Sequence, residues 1–195
     1  MGELKSAYER AMEKTGKLGN LSPEEMKKQE EDRLLTVGRA IAGKYLNHGH
    51  TQVFKDDVEK FRVDEKDVVS RGARLGLVGS ISFDKGVTVE ALDRVAEGLL
   101  ELATGKKGRV EELIGNMKGL LEELEAELDR TYSSEFSRLE SERRGLLANL
   151  GISGSAIAGV NVEGSSSWER IENDLRAQYN AQLEPLKKKL AEAVA

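Results

Sequence analysis

The sequence predicts an all-α protein, a helical body carrying a long antiparallel, coiled-coil-like helical hairpin as an arm. Three observations carry that reading. Charged residues make up 33% of the 195-residue chain and aromatics only 5%, a mixture that suits long, thinly packed helices better than a thick globular core. From Val110 to Leu150 apolar residues recur at steps of three and four, which lines up one face of a helix. A second such run extends from Trp168 to Val194, and between the two lies Gly151 to Val162, a stretch without a single charge.

The elements follow in order. In MGELKSAYERAMEKT, Leu4, Ala7, Tyr8, Ala11, Met12 and Thr15 share one stripe of a helix from Glu3 to Thr15, and Gly16 stops it. The next start signal is complete: Ser22 as N-cap, Pro23 at the first helical position, Glu25 closing a capping box, and Leu21 with Met26 as a hydrophobic staple. The first turns of this helix, EEMKKQEEDR, are charged and belong in water. Leu34, Val37, Ile41 and Tyr45 form the buried stripe of its second half, and Asn47 with Gly49 ends it. Val53, Phe54, Val58 and Phe61 fit a short amphipathic helix. Asp64 with Asp67 looks like a further helix start leading through Val68, Val69 and Ala73, with LGLVGSISF finishing that helix ahead of a turn at Asp84, Lys85 and Gly86. Thr88 caps a clearer helix through Val89, Leu92, Val95, Leu99 and Ala103, closed by Gly105.

The dominant feature begins at Arg109. Its stripe runs from Val110 and Leu113 through Met117, Leu120, Leu124 and Leu128 to Tyr132 and Phe136, then past Leu139 and Arg143, its one charged member, to Leu146 and Leu150. The mean step of about 3.6 matches a straight helix, on the order of 60 Å long at about 1.5 Å per residue. Trp168, Ile171, Leu175, Tyr179, Leu183, Leu186, Leu190 and Val194 repeat the pattern, with Ser166 and Glu169 as the capping box that opens it. Folded back on each other, the two helices would place Leu150 near Trp168, Leu139 near Tyr179 and Leu124 near Val194. Val110 to Leu121 would then be left to pack on the amino-terminal helices. This divides the chain into a body, 1–108, and a hairpin, 109–195, turning at 151–166, within one cooperative domain. Pro185 removes one backbone hydrogen bond from the last helix and predicts a bend there, since the apolar phase continues beyond it.

Composition excludes several chemistries. The net charge of −5 argues against nucleic acid, whose phosphates need a concentrated cationic surface. There is no cysteine, hence no disulfide, thiolate metal site or thiol nucleophile. The amino terminus lacks the apolar block of a secretory signal, and no apolar run approaches the roughly 18 residues of a membrane span. The expectation is a soluble, cytoplasmic protein without membrane partners.

Few residues suggest chemistry. His48 and His50, with Asp56 or Asp57, offer imidazole and carboxylate ligands for a metal, although the same residues also suit a helix C-terminus, where histidine favours the dipole and glycine turns the chain. GISGS and GSSSW do not match the nucleophile elbow G-x-S-x-G and read as cap and turn serines. ATGKKGR lacks P-loop spacing and RLGLVGS lacks the dinucleotide fingerprint; both read as turns between helices, with Lys106, Lys107 and Arg109 as a minor candidate for phosphate contact. The acids of LLEELEAELD form a solvated face. The uncharged segment differs, because the end of a hairpin does not require Ile152, Ile157, Val160 and Val162. They either fold over the end of the hairpin or, with Ser153, also meet a partner. The functional expectation is therefore a non-enzymatic interaction or scaffold protein, self-associating as a homo-oligomer, with no catalytic residues and no cofactor, that presents Ile152, Ser153, Ile157, Val160 and Val162 to a protein partner. The alternative is a metal-binding enzyme or sensor centred on His48 and His50.

With MGELKSAYERAMEKT at the start and LGISGSAIAGVNVEGSSSW near the end, the chain resembles small bacterial helical proteins grouped as a domain of unknown function. Those proteins are similar in having an amino-terminal E-[IL]-K-S-A-x-E-x-A-x-E-K-T helix and a late G-I-S-G-S-A segment. The resemblance covers both ends more than the middle. It implies no known activity and carries no catalytic residue over to this chain.

Overall fold

Ser22 and Glu25 open the first described helix with a reciprocal capping box. The Glu25 amide donates to Ser22 Oγ at 3.2 Å and the Ser22 amide donates to the Glu25 carboxylate at 2.7 Å, which satisfies two of the donors that every helix start leaves over. The structure is a computed structural model that describes residues 22–103, 105, 107–151 and 161–194. The expected helix from Glu3 to Thr15 and the Leu21 half of the staple lie outside those residues, and Met26 is exposed. Among the described residues there are six helices and no strand: α1 (Pro23–His48), α2 (Thr51–Glu59), α3 (Val63–Gly79), α4 (Val89–Leu102), α5 (Lys107–Asn149) and α6 (Ser166–Val194). The protein is all-α, and no described helix is long and apolar enough to cross a membrane.

Most boundaries follow their local signals. α1 ends at Gly49, whose φ of 69° lies in the left-handed region and lets its amide bond the Tyr45 carbonyl at 2.7 Å. Thr88 caps α4 by accepting from the Ala91 amide at 3.3 Å. Asp64 was expected to start α3, but Arg62 occupies the cap position, and Asp64 sits with Glu65 in the first turn, where the positive end of the helix dipole favours acids.

RLGLVGS is not a turn between helices, because Gly76 lies inside α3, which continues to Gly79. The glycines of α1 and α3 serve contact instead. A Cβ at Gly38 would sit 2.2 Å from the Val69 carbonyl oxygen, and one at Gly72 would sit 2.4 Å from that of Leu35. At Gly76 a Cβ would lie 3.0 Å from Ala42 Cβ. Gly72 and Gly76 share a helix face by their spacing, so α1 and α3 meet nearly backbone to backbone. The loop after α3 turns inward as well: Ile81 and Phe83 are fully buried.

At about 1.5 Å per residue, the 43 residues of α5 span about 64 Å. Its pairing with α6 reverses order along the chain. The Tyr179 hydroxyl donates to Glu127 at 2.8 Å, the Trp168 ring meets Tyr132 edge-on at 5.2 Å, and Ser167 reaches Glu135. The offset differs from the expected one. Trp168 was to lie opposite Leu150 but meets Tyr132, about five helical turns earlier, and Tyr179 bonds Glu127 rather than packing on Leu139. Level seams would require α6 to start beside the end of α5, whereas it starts beside the middle, where Ser167 reaches Glu135. Continuing at the same rise, Val194 comes level with the first turns of α5, the stretch expected to be left to the amino-terminal helices. α4 also meets that stretch, through an ion pair of Asp93 with Lys118.

One hydrophobic cluster joins these elements, with Ala42 and Tyr45 of α1, Leu77 of α3, Leu99 of α4, Met117 of α5 and Leu183 of α6 among its members. α6 runs unbroken through Pro185, with Leu183 and Leu190 buried on either side. The missing proline amide would have bonded the Ala181 carbonyl.

Candidate functional site

The start of α6 and the middle of α5 form the most elaborate polar constellation. The cap of α6 is Ser165, not Ser166: its hydroxyl oxygen accepts from the Trp168 amide at 3.2 Å. Ser167 then points back to α5 and donates to Glu135 Oε1 at 2.5 Å, while Arg138 grips both Glu135 oxygens, Nε on Oε2 at 2.8 Å and the terminal nitrogen on Oε1 at 2.6 Å. Glu135 is only 6% exposed. The Arg138 pair foremost, then the Ser167 hydroxyl, hold its pKa down at about 2 against an ordinary 4.5. Sequence reasoning missed Glu135, because nothing separates it from the other acids of α5 until Ser167 is placed beside it.

A carboxylate held that low is a poor general base, since effective bases titrate near the working pH. The Ser167–Glu135 pair is therefore a latch between helices rather than an activated nucleophile. A pH dependence follows. Because the folded pKa is depressed, the stability that Glu135 contributes is complete above its ordinary value and is lost as pH falls through about 2. Glu135→Gln should melt at a lower temperature than the parent near neutrality, and the gap should narrow as the pH is taken from 4.5 downward. A gap that stays constant over that titration would refute the ionic latch.

The other buried acid among the described residues is Glu172. Burial opposes its ionisation, but the Lys85 ammonium at 2.6 Å and the Arg176 guanidinium at 3.0 Å prevail and hold its pKa below the usual carboxylate range. Arg176 also donates to the carbonyls of Phe83 and Asp84, at 3.1 and 3.2 Å, and Asn180 accepts the Phe83 amide at 2.9 Å. This group clamps the α3–α4 loop onto α6 and keeps Glu172 ionised between two cations.

Beyond the latch, α6 no longer covers α5. Phe136 is 39% exposed, Leu146 66% and Leu150 73%. Gly151, at φ 71°, closes the helix. Of the expected contact residues, Ile152, Ser153, Ile157 and Val160 lie outside the described residues. Val162 is fully buried, in the turn where its carbonyl accepts the Ser165 amide at 2.9 Å.

The two histidines are brought together, lining one cavity between α1 and α2 with Lys44 and Asp57. Asp56, the third candidate ligand, accepts a hydrogen bond from the Gln52 amide at 2.8 Å. Asp57 is bonded by Lys44 and Lys60. Among the described residues no group of three His, Asp or Glu side chains is placed to hold a metal. Lys107 opens α5, Arg109 is paired with Glu112 at 2.6 Å, and Lys106 lies outside the described residues. Of the acids in LLEELEAELD, Glu127 is bound to Tyr179, whose pKa it raises.

A model of a family of unknown function matches residues 55–192. No curated protein and no solved structure matches the chain. The matched span begins in α2 and includes the late GISGSA segment. The amino-terminal motif and α1, which docks on α3 through its glycine, lie before it.

Proposed function

The chain belongs to that family, DUF6657, and since membership supplies no activity to transfer, we propose from the chain's own geometry that it is a non-enzymatic interaction or scaffold protein. It self-associates and presents the far end of a long antiparallel helical hairpin to a protein partner. The observation that carries this reading is the overhang of α5. Phe136, Leu146 and Leu150 lie within one helical face and remain exposed where α6 has ended. Large apolar groups gathered on a surface mark contact sites, and burying them would contribute roughly 25 cal/mol per Å². The flanking charges are engaged within the helix, Arg144 with Glu140 at 2.7 Å and Arg138 with Glu142, which suits a partner that docks on the apolar seam. Ile152, Ser153, Ile157 and Val160 follow directly in sequence and are assigned to the protein partner, whereas Val162 is fully buried.

Sedimentation equilibrium tests the reading with two variants, Leu146→Ser with Leu150→Ser, and Ile152→Ser with Ile157→Ser and Val160→Ser. Loss of two central leucines should weaken self-association at least about tenfold, with helix content unchanged, and the triple variant should lose the protein partner recovered from native cells. A strict monomer at every concentration, together with unaltered partner recovery by both variants, would overturn the proposal.

A further inference from the structure

The last turns of α1 and the body of α2 enclose a cup of about 120 Å³. Its floor is apolar. Tyr45 and Phe54 are buried and stacked with ring centres 4.5 Å apart, and Ile41 and the exposed Val53 complete the wall. Lys44, His48, His50 and Asp57 form the rim. The size suits a single six-membered ring, since apolar cavities of about 150 Å³ hold benzene. The rim decides the charge of the ligand. Among the described residues Asp57 is the only carboxylate lining the cup, and each of its oxygens is bonded by a lysine, Oδ2 by Lys44 and Oδ1 by Lys60, each at 2.6 Å. Lys44 is 55% exposed and, with three ammonium hydrogens, keeps donors in reserve. Neither imidazole is engaged in a hydrogen bond among the described residues. The rim therefore offers ammonium and imidazole donors, and its one carboxylate among the described residues is already held by two cations, beside an aromatic floor.

We propose that this cup binds a small aromatic carboxylate, with the ring against Tyr45, Phe54 and Ile41 and the carboxylate accepting from Lys44 and a histidine at the rim. The site stands apart from the hairpin end, and either can fail without the other. The test is a methyl NMR titration of the full chain, reading Ile41 and Val53, with benzoate and with benzylamine, which carries a cation in place of the carboxylate. Benzoate should produce saturable shifts, and benzylamine should bind at least about tenfold more weakly, because a charge-assisted bond to Lys44 is lost. Val53→Trp fills the mouth from an exposed position and should abolish benzoate binding without moving the melting temperature. Lys44→Gln should weaken benzoate about tenfold and leaves Asp57 paired with Lys60. No saturable shift with benzoate, equal affinity for benzylamine, or undiminished binding in both variants would each overturn the assignment.

Discussion

Replacing Gly38 by alanine is expected to destabilise the protein by about 3 kcal/mol, whereas the same change at Gly43, further along the same helix, should stabilise it by about 1 kcal/mol. Both positions lie inside α1, so alanine improves the intrinsic helix preference at each by the same amount. The difference is what the new methyl meets. At Gly43 the methyl would meet nothing within 4 Å beyond its own helix among the described residues, while at Gly38 it would lie 2.2 Å from the Val69 oxygen and 2.7 Å from the Ala73 nitrogen. Those atoms belong to the backbone of α3 and cannot rotate away, so the helices must separate and release the packing around Ala42 and Ala73. Gly72→Ala attacks the same crossing from the other side, 2.4 Å from the Leu35 oxygen. Since one separation relieves both clashes, the double variant should cost less than the sum of the two. Urea denaturation of the three single variants and the double variant checks this. Equal stabilities for Gly38→Ala and Gly43→Ala would mean that the close approach of α1 and α3 does not exist.

What the sequence made legible was local. The Ser22 capping box, the Gly49 stop and the Thr88 cap depend on one turn of chain, and each appears where its signal lies. The stripes were legible too, as the burial of Leu113, Met117, Leu124, Leu183 and Leu190 shows. Gly38, Gly72 and Gly76 were not, because a glycine that admits a neighbouring helix and one that ends a helix look alike until the neighbour is known. The offset of α5 against α6 was hidden for a related reason. Two seams with the same period fit at many offsets of nearly equal apolar burial, and the choice falls to discrete pairs such as Tyr132 with Trp168, Glu135 with Ser167 and Glu127 with Tyr179. At the histidines, proximity in sequence revealed the neighbourhood of His48 and His50 but not its character, which comes from Tyr45 and Phe54 on adjoining helices.

The second large effect is expected at Phe83. The residue follows α3 in a loop, yet its side chain is fully buried in the main cluster, and Phe→Ala at such sites costs about 3–5 kcal/mol. Asn180→Ala attacks the same anchor from α6 by stripping the acceptor from the Phe83 amide, which should cost about 1–3 kcal/mol if that buried donor finds no replacement. Arg176 would still hold the Phe83 and Asp84 carbonyls, so the loop should loosen and not detach. Because ring and amide belong to one anchored turn, the double variant should lose less than the two single losses together. Hydrogen exchange distinguishes this from a uniform loss of stability: Asn180→Ala should speed exchange at the Phe83 amide more than at the amides of Leu99 or Met117. Full additivity, or a Phe83→Ala variant within about 1 kcal/mol of the parent, far below the usual core penalty, would mean that the loop merely passes over α6, leaving the helix–helix seams alone to tie α3 to the carboxy-terminal helix.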